Sequence, residues 1–378
     1  MVRRWWASAS ARAAVAAAVL AACGARAGQG GGAAREPQAA HSPAPRPASP
    51  PLVTTERVEI EPRPPARQPI VVIGRARPVG GAAAGVDAEG RGREAIALLE
   101  AFIARNPGHP EHTPGALMRL GSLRLDVADA ALDRGDEAAF AADTTAAVTA
   151  LARLVADFPR HDHRDVSLYL LGYARHQAGD GAGALAAYEE AAAIPGSTLA
   201  IEARFRAGEL HFEDGALERA AAAYAEVVAR GDARFAGLAR YKLAWSHYRR
   251  AAYGEAVAAF QAVLDMPDTP AVPDLRAEAA QYVALSLTER DWDGDGVDDP
   301  APRGAKQPVA VARIAAHLGD GASASRRLVA ERAAEALADE GHHAESVAVY
   351  RLLIAVAVDP GERARLGTAL ERVAARAR

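Results

Sequence analysis

Apolar residues recur three or four positions apart, almost without a break, from residue 91 onward. One face of a helix is revisited every 3.6 residues, so this spacing predicts amphipathic α-helices and not strands. The helical stretch also repeats itself. Leu171-Gly172 is followed by Gly179-Asp180, Ala184, Tyr188 and Ala191. Ala207-Gly208 is followed by Gly215, Ala220, Tyr224 and Val227, and Leu243-Ala244 by Tyr253, Ala256, Phe260 and Val263. Gly172, Gly208 and Ala244 stand 36 residues apart, as do Ala184, Ala220 and Ala256, and Tyr188, Tyr224 and Phe260.

This register describes a helical hairpin. A small residue on each of two helices lets them approach closely, and an aromatic one turn after the second small residue fills the space left between hairpins. Gly179 and Gly215 fall at the turn, where a left-handed backbone favours glycine. One hairpin cannot bury its own apolar face, so hairpins must stack. The expected fold is all-α, a solenoid of about six hairpins with no β-sheet in residues 160–270.

Residues 161–270 hold the three regular units. Residues 91–160 form divergent ones, in which Ala95, Leu99, Phe102 and Pro107 have the spacing of a second helix with its closing proline. Ala147, Leu151, Leu154 and Pro159 repeat that spacing, and Leu120-Gly121 begins the matching first helix, with about 14 extra residues lengthening the hairpin. Residues 271–360 are divergent again. Gly341 makes a turn there, Ser346 replaces the usual alanine, Tyr350 takes the aromatic place and Leu353 stands where a small residue is expected. A last amphipathic helix within 361–378 would cap the open end.

The pattern resembles the tetratricopeptide repeat (TPR), whose motif has small residues at its eighth, twentieth and twenty-seventh positions and an aromatic at the twenty-fourth. The resemblance covers roughly residues 91–377 and implies a right-handed superhelix that holds a peptide or protein on its concave face. The period here is 36 and not 34, Val227 and Val263 are larger than the motif prefers, and Leu168, Arg204 and Arg240 stand where the motif has tryptophan. Asp157-Phe158-Pro159 and Tyr169-Leu170-Leu171-Gly172 are similar to phrases in the TPR lipoproteins and periplasmic TPR proteins of Gram-negative envelopes, including outer-membrane assembly and Tol-Pal-associated proteins.

The first residues point to an address. Arg3 and Arg4 precede a short apolar run, Ala13 to Leu20, and then Leu20-Ala21-Ala22-Cys23. That is the layout of a secretory signal, in a run too short for the roughly 20 residues a bilayer span needs. The tetrapeptide resembles the lipobox of bacterial lipoproteins. It implies cleavage after residue 22 and a lipid on Cys23, the single cysteine of the chain. Gly24 in the next position implies the outer membrane, with the protein at its periplasmic face or the cell surface. The competing reading is an ordinary signal peptide with an incidental cysteine.

Residues 23–80 then read as a lipid-anchored linker. Eleven of the 23 prolines lie between residue 24 and about residue 80. Such composition buries too little apolar surface to offset its ordering entropy, so disorder is expected. In polyproline II geometry it could reach on the order of 100 Å. Val58-Glu59-Ile60 and Ile70-Val71-Val72-Ile73 interrupt it, either as short docking strands or as isolated apolar spots.

Composition narrows the function. Hydrophobic residues make up 50% and charged residues 24% of the chain, which excludes a polytopic membrane protein and a wholly disordered one. Aromatics are only 5%, so Ala, Leu and Val must build the core, which suits closely packed helices. Loss of residues 1–22 leaves 41 basic and 48 acidic residues, net −7, and no basic footprint for nucleic acid.

One segment breaks the helical pattern: Asp291-Trp292-Asp293-Gly294-Asp295-Gly296-Val297-Asp298-Asp299-Pro300, between helices expected at 277–290 and 308–318. Alternate aspartates on a turning loop supply the hard oxygen ligands that Ca²⁺ takes. The segment resembles the calcium loops of EF-hand, dockerin and thrombospondin type 3 repeats. By that likeness Asp291, Asp293 and Asp295 give carboxylates, Val297 a backbone carbonyl and Asp299 a further ligand. The EF-hand's bidentate glutamate is missing, Pro302 standing in its place, and Asp298 could substitute. The alternative is a solvated acidic turn.

No other chemistry emerges. Gly30-Gly31-Gly32 is not followed by a phosphate-loop lysine, and His161, His163, His342 and His343 lack partners at zinc spacing. The expectation is a non-enzymatic scaffold of an envelope complex. It binds envelope proteins or peptides, touches the membrane through its lipid, requires no cofactor, with a structural Ca²⁺ as an option at the aspartate loop, and takes no nucleic acid or small-molecule substrate. The alternative is a subunit that contacts peptidoglycan or belongs to a cell-wall complex.

Overall fold

A computed structural model of the chain describes residues 85–267, 275–299, 305–319 and 323–376. The signal segment, Cys23, the proline-rich linker with its two apolar spots, and Pro302 lie outside these residues. Among the described residues there are fourteen α-helices and no strand. They are α1 (Gly85–Arg105), α2 (Thr113–Arg134), α3 (Glu137–Asp157), α4 (Arg164–Gln177), α5 (Gly181–Ala193), α6 (Ala200–Glu213) and α7 (Leu217–Arg230). The rest are α8 (Ala236–Arg249), α9 (Tyr253–Leu264), α10 (Arg276–Thr288), α11 (Val309–Leu318), α12 (Ala324–Asp339), α13 (His343–Val356) and α14 (Pro360–Arg376).

From α1 to α10 each helix packs mainly on its neighbours in the chain, as in a solenoid. Within the hairpins the 36-residue register becomes contact. A Cβ placed on Gly172 of α4 would lie 2.8 Å from the Tyr188 ring of α5, and one on Gly208 of α6 would lie 2.9 Å from the Tyr224 ring of α7. Gly121 of α2 meets Leu151 of α3 in the same way, at 2.5 Å. The large residue therefore seats on the small residue of its own hairpin. Tyr188 also shares a core cluster with Ala203, Ala207 and Leu210 of α6, so one ring serves both contacts.

Departures from the regular unit have local causes. The extra residues of the α2–α3 hairpin extend both helices, to 22 and 21 residues, and the side chain of Asp136 caps α3 by accepting the Ala139 N–H. Helix α3 is long and apolar enough to cross a membrane. Its Ala147, Leu151 and Leu154 are buried in the helical core. Ser346 stands where alanine is usual because its buried hydroxyl donates to the Ala334 carbonyl across the α12–α13 hairpin, 2.7 Å away. Helix α14 packs on α13.

The expected hairpin over residues 277–318 is not a regular pair. The aspartate loop occupies the place where a second helix would begin. The second helix is deferred to α11, ten residues long, which rests lightly on α10, α12 and α13. Helix α10 packs directly on α12 instead. The pairs α2–α3, α4–α5, α6–α7, α8–α9 and α12–α13 are closed hairpins, and α10–α11 is an opened sixth.

One turn carries strain. Gly179 and Gly215 adopt φ 81° and 76°, and Ala251, 36 residues after Gly215, keeps the left-handed turn at φ 58° with a side chain. A Cβ in that region costs roughly 1–2 kcal/mol. Ala251→Gly is expected to stabilise the protein by about 1 kcal/mol in urea denaturation, after allowing for the entropy glycine adds to the unfolded chain. Gly215→Ala is expected to destabilise it by a similar amount.

Candidate partner-binding face and aspartate loop

The first helices of successive hairpins, α4, α6, α8 and α10, are tied edge to edge by side chains. Tyr169 on α4 donates its hydroxyl to Glu202 on α6, 2.5 Å away and 33 residues on. Lys242 on α8 pairs with Glu209 on α6 at 3.3 Å, also 33 residues apart. This offset is one repeat less one helical turn. Arg249 of α8 lies over the Phe212 ring of α6, 4.6 Å from its centroid, and Lys242 covers the same ring at 5.2 Å. Trp245 and Tyr248 of α8 reach Tyr282 of α10, with ring centroids 4.2 and 5.0 Å apart.

Burial sets the electrostatics of this ladder. Glu209 and Lys242 are both buried, and Tyr224 donates a hydrogen bond to the same carboxylate oxygen of Glu209. A buried charge is tolerated only when paired and hydrogen-bonded, and this one is both. Desolvation pushes the tyrosine hydroxyls of the ladder up: Tyr169, Tyr224 and Tyr248 rise beyond the ordinary phenol range, burial being the largest cause in each. They remain neutral donors. Burial, then the Arg250 charge, holds His247 below the usual imidazole value.

The hairpin at the centre of the ladder matches a known repeat family. Residues 238–269 match the tetratricopeptide repeat family. The matched segment holds α8 and α9, the third regular unit of the 36-residue register. No curated protein matches the chain. Among solved structures, the chain is similar to the C-terminal part of a TPR repeat-containing protein from Cytophaga hutchinsonii, at 14% identity and TM-score 0.42, covering 74% of this chain and 97% of that one. It is also similar to BtubC from P. vanneervenii, at 14% identity and TM-score 0.40 over 60% of this chain and 98% of that one. The P58(IPK) TPR domain follows at 12% identity and TM-score 0.22, covering 78% and 98%.

Beside the ladder of first helices sits the aspartate loop. Asp291, Asp293 and Asp295 each place an oxygen within 4.8 Å of the others. Asp291 accepts the N–H groups of Asp295 and Gly296, at 3.0 and 2.9 Å, and Asp295 accepts that of Val297 at 2.8 Å. The side chain of Val297 is exposed. Asp299 turns elsewhere: one of its oxygens takes the Trp292 N–H at 2.9 Å and the Arg313 guanidinium at 3.2 Å. Three of the expected carboxylates therefore converge, and Asp299 is held by an arginine from α11. The donor set of the three is all carboxylate oxygen, which suits a hard divalent cation.

The loop also has a packed side. Trp292 lies against Gly254 and Tyr253 of α9, and Arg313 stacks over its ring at 4.3 Å. Gly294 sits on the strained turn: a Cβ there would come within 2.8 Å of Ala251. Between the loop, α11 and the α12–α13 hairpin is a cavity of about 240 Å³, lined among others by Glu289, Arg290, Asp299, Arg313 and Glu345. Its arginines are engaged, Arg313 with Asp299 and the Glu289 carbonyl, Arg290 with Glu345 and the His342 ring.

Of the histidines considered as ligands, His161 serves the fold. His161 contacts the Phe158 carbonyl and the Ser167 hydroxyl, each at 2.7 Å, and Ser167 is wholly buried in α4. A buried hydroxyl is no accessible nucleophile. Lys242→Ala is expected to cost about 3 kcal/mol or more in urea denaturation, because it leaves the Glu209 charge buried without its partner. Lys242→Met combined with Glu209→Gln removes both charges while leaving Tyr224 an acceptor, and is expected to recover most of that loss.

Proposed function

We propose that the protein is a non-enzymatic adaptor of a bacterial envelope complex, in outer-membrane assembly or in envelope and motility machinery. TPR arrays generally mediate protein–protein interactions and are typically non-catalytic scaffolds. The observation that carries the reading is the row of first helices α4, α6, α8 and α10, which contacts from Tyr169 to Tyr282 hold side by side so that they present one face of the array. A lipid on Cys23 holds this face at the outer membrane, on a proline-rich linker, and a divalent cation such as Ca²⁺ on Asp291, Asp293 and Asp295 braces the loop beside it.

The experiment is crosslinking and capture of the full-length protein from membranes. The expected result is a reproducible set of envelope proteins crosslinked through residues of the first helices. Recovery of glycan fragments in their place would replace this reading with a peptidoglycan-contacting one. Recovery of neither would end it.

Two further outcomes test the anchor and the ion. Cys23→Ala is expected to move the protein into soluble fractions; a variant that stays on membranes after a salt wash would show another anchor. Calcium at about one hundred times its dissociation constant is expected to stabilise the native state by about 2.7 kcal/mol. Asp293→Ala with Asp295→Ala should abolish that rise. Equal melting temperatures in calcium and in chelator would make the loop a plain acidic turn.

A further inference from the structure

Aromatic side chains are scarce in this chain, 5% of residues, yet they gather where α8, α9, α10 and the aspartate loop meet. Tyr282, Tyr248, Tyr253 and Trp292 form a row whose successive ring centroids are 5.0, 5.7 and 6.4 Å apart. All four rings are half-buried, so each keeps surface open to solvent. Beneath them Trp245 and Phe260 are fully buried and hold Tyr248 and Tyr282 in place by edge and stacked contacts.

The charge around the row is negative. Glu289 and Glu340 act on Tyr248, Glu289 and Asp291 act on Tyr253, and Glu340 and Asp291 surround Glu289 in turn. The cations near the row are already engaged: Arg313 stacks on Trp292 and bonds to Asp299 and the Glu289 carbonyl, Arg290 pairs with Glu345, and Arg250 pairs with Glu255. Aromatic faces attract ammonium and guanidinium groups, and half-buried carboxylates strengthen that attraction. The chain itself uses this chemistry repeatedly, at Arg249 and Lys242 over Phe212 and at Arg313 over Trp292. Residues 81–378 carry 44 acidic and 33 basic side chains, so the long-range field also draws a basic partner.

We propose that the row Tyr282–Tyr248–Tyr253–Trp292, rimmed by Glu289 and Glu340, is the docking surface for an extended peptide segment of a partner protein that bears lysine or arginine. This rests on the adaptor reading and names the partner's chemistry. An elongated row of rings fits a chain and not a single small cation. The ladder of first helices leads into it at Tyr248, so a segment lying along α8 arrives with its basic side chains over the aromatic faces. Trp292 brings the aspartate loop into the same surface, and the loop thereby acquires a binding role beside its structural one.

The test uses the full-length mature protein and a fluorescein-labelled peptide of alternating lysine and alanine, with a glutamate–alanine peptide of equal length as control. The lysine peptide is expected to bind, to weaken as salt rises, and to quench tryptophan fluorescence through Trp292. The acidic peptide is expected not to bind. Glu289→Gln with Glu340→Gln should weaken the lysine peptide about fivefold to tenfold at unchanged melting temperature. If that pair unfolds the protein, Glu340→Lys, at an exposed position, serves instead and should weaken binding in the same direction. Unchanged affinity in a folded variant, or equal binding of the acidic peptide, would overturn the proposal. The two levels separate cleanly in membrane crosslinking. Partners retained by the Glu289→Gln/Glu340→Gln variant would leave the adaptor reading standing and this surface wrong. No partners with the wild-type chain would sink the adaptor reading itself.

Discussion

The fold depends on a close approach between a small residue on one helix and a large one on the next. Gly172 against Tyr188, Gly208 against Tyr224 and Gly121 against Leu151 are one contact built three times, with no room at any of them for an added methyl group. Dispersion and burial reward that fit only when the helices lie near enough to touch backbone to ring. In a chain poor in aromatics, each ring must also serve two hairpins, as Tyr188 does with α4 and α6. Stacking follows from this economy, because a hairpin alone leaves half of each ring in water.

Much of this was legible in the sequence, because the contact that matters recurs at a fixed interval. A 36-residue register in three residue classes predicts hairpins whatever the surface composition. The ladder between first helices was legible too, at the 33-residue offset of Tyr169 with Glu202 and Glu209 with Lys242, but a search for small and aromatic positions passes over charged pairs. The late start of α11 was legible, and its packing was not. Once the loop displaces the second helix, local periodicity still says helix at 309–318 but no longer says against what, and α10 takes α12 as its neighbour. The carboxylate of Asp299 escaped for a similar reason: loop spacing places it with Asp291, Asp293 and Asp295, while an arginine 14 residues later in α11 claims it.

Strain, charge and the proposed docking row meet at one end of the regular array. Ala251 holds a glycine-like turn, the loop's Gly294 rests on it, and Trp292 packs on the adjoining Tyr253 and Gly254. The regular hairpins supply a repeating edge, and the irregular unit supplies the distinctive chemistry, because only where the register is broken can a loop reach across to the preceding hairpin. Local irregularity on a repetitive scaffold is how one member of a common architecture acquires its own partner.

A double-mutant cycle at Gly172 and Tyr188 tests the central claim most directly. Tyr188 suits this cycle because its ring is buried against Gly172. Gly172→Ala alone should destabilise the protein by about 1–3 kcal/mol through overpacking. Tyr188→Leu alone should destabilise it through lost contact, but with room made at the small position. The account predicts that the two together cost less than their sum, by about 1 kcal/mol or more of coupling in equilibrium denaturation. Strict additivity would mean that the glycine and the ring act independently, and that something other than their close approach sets the hairpin.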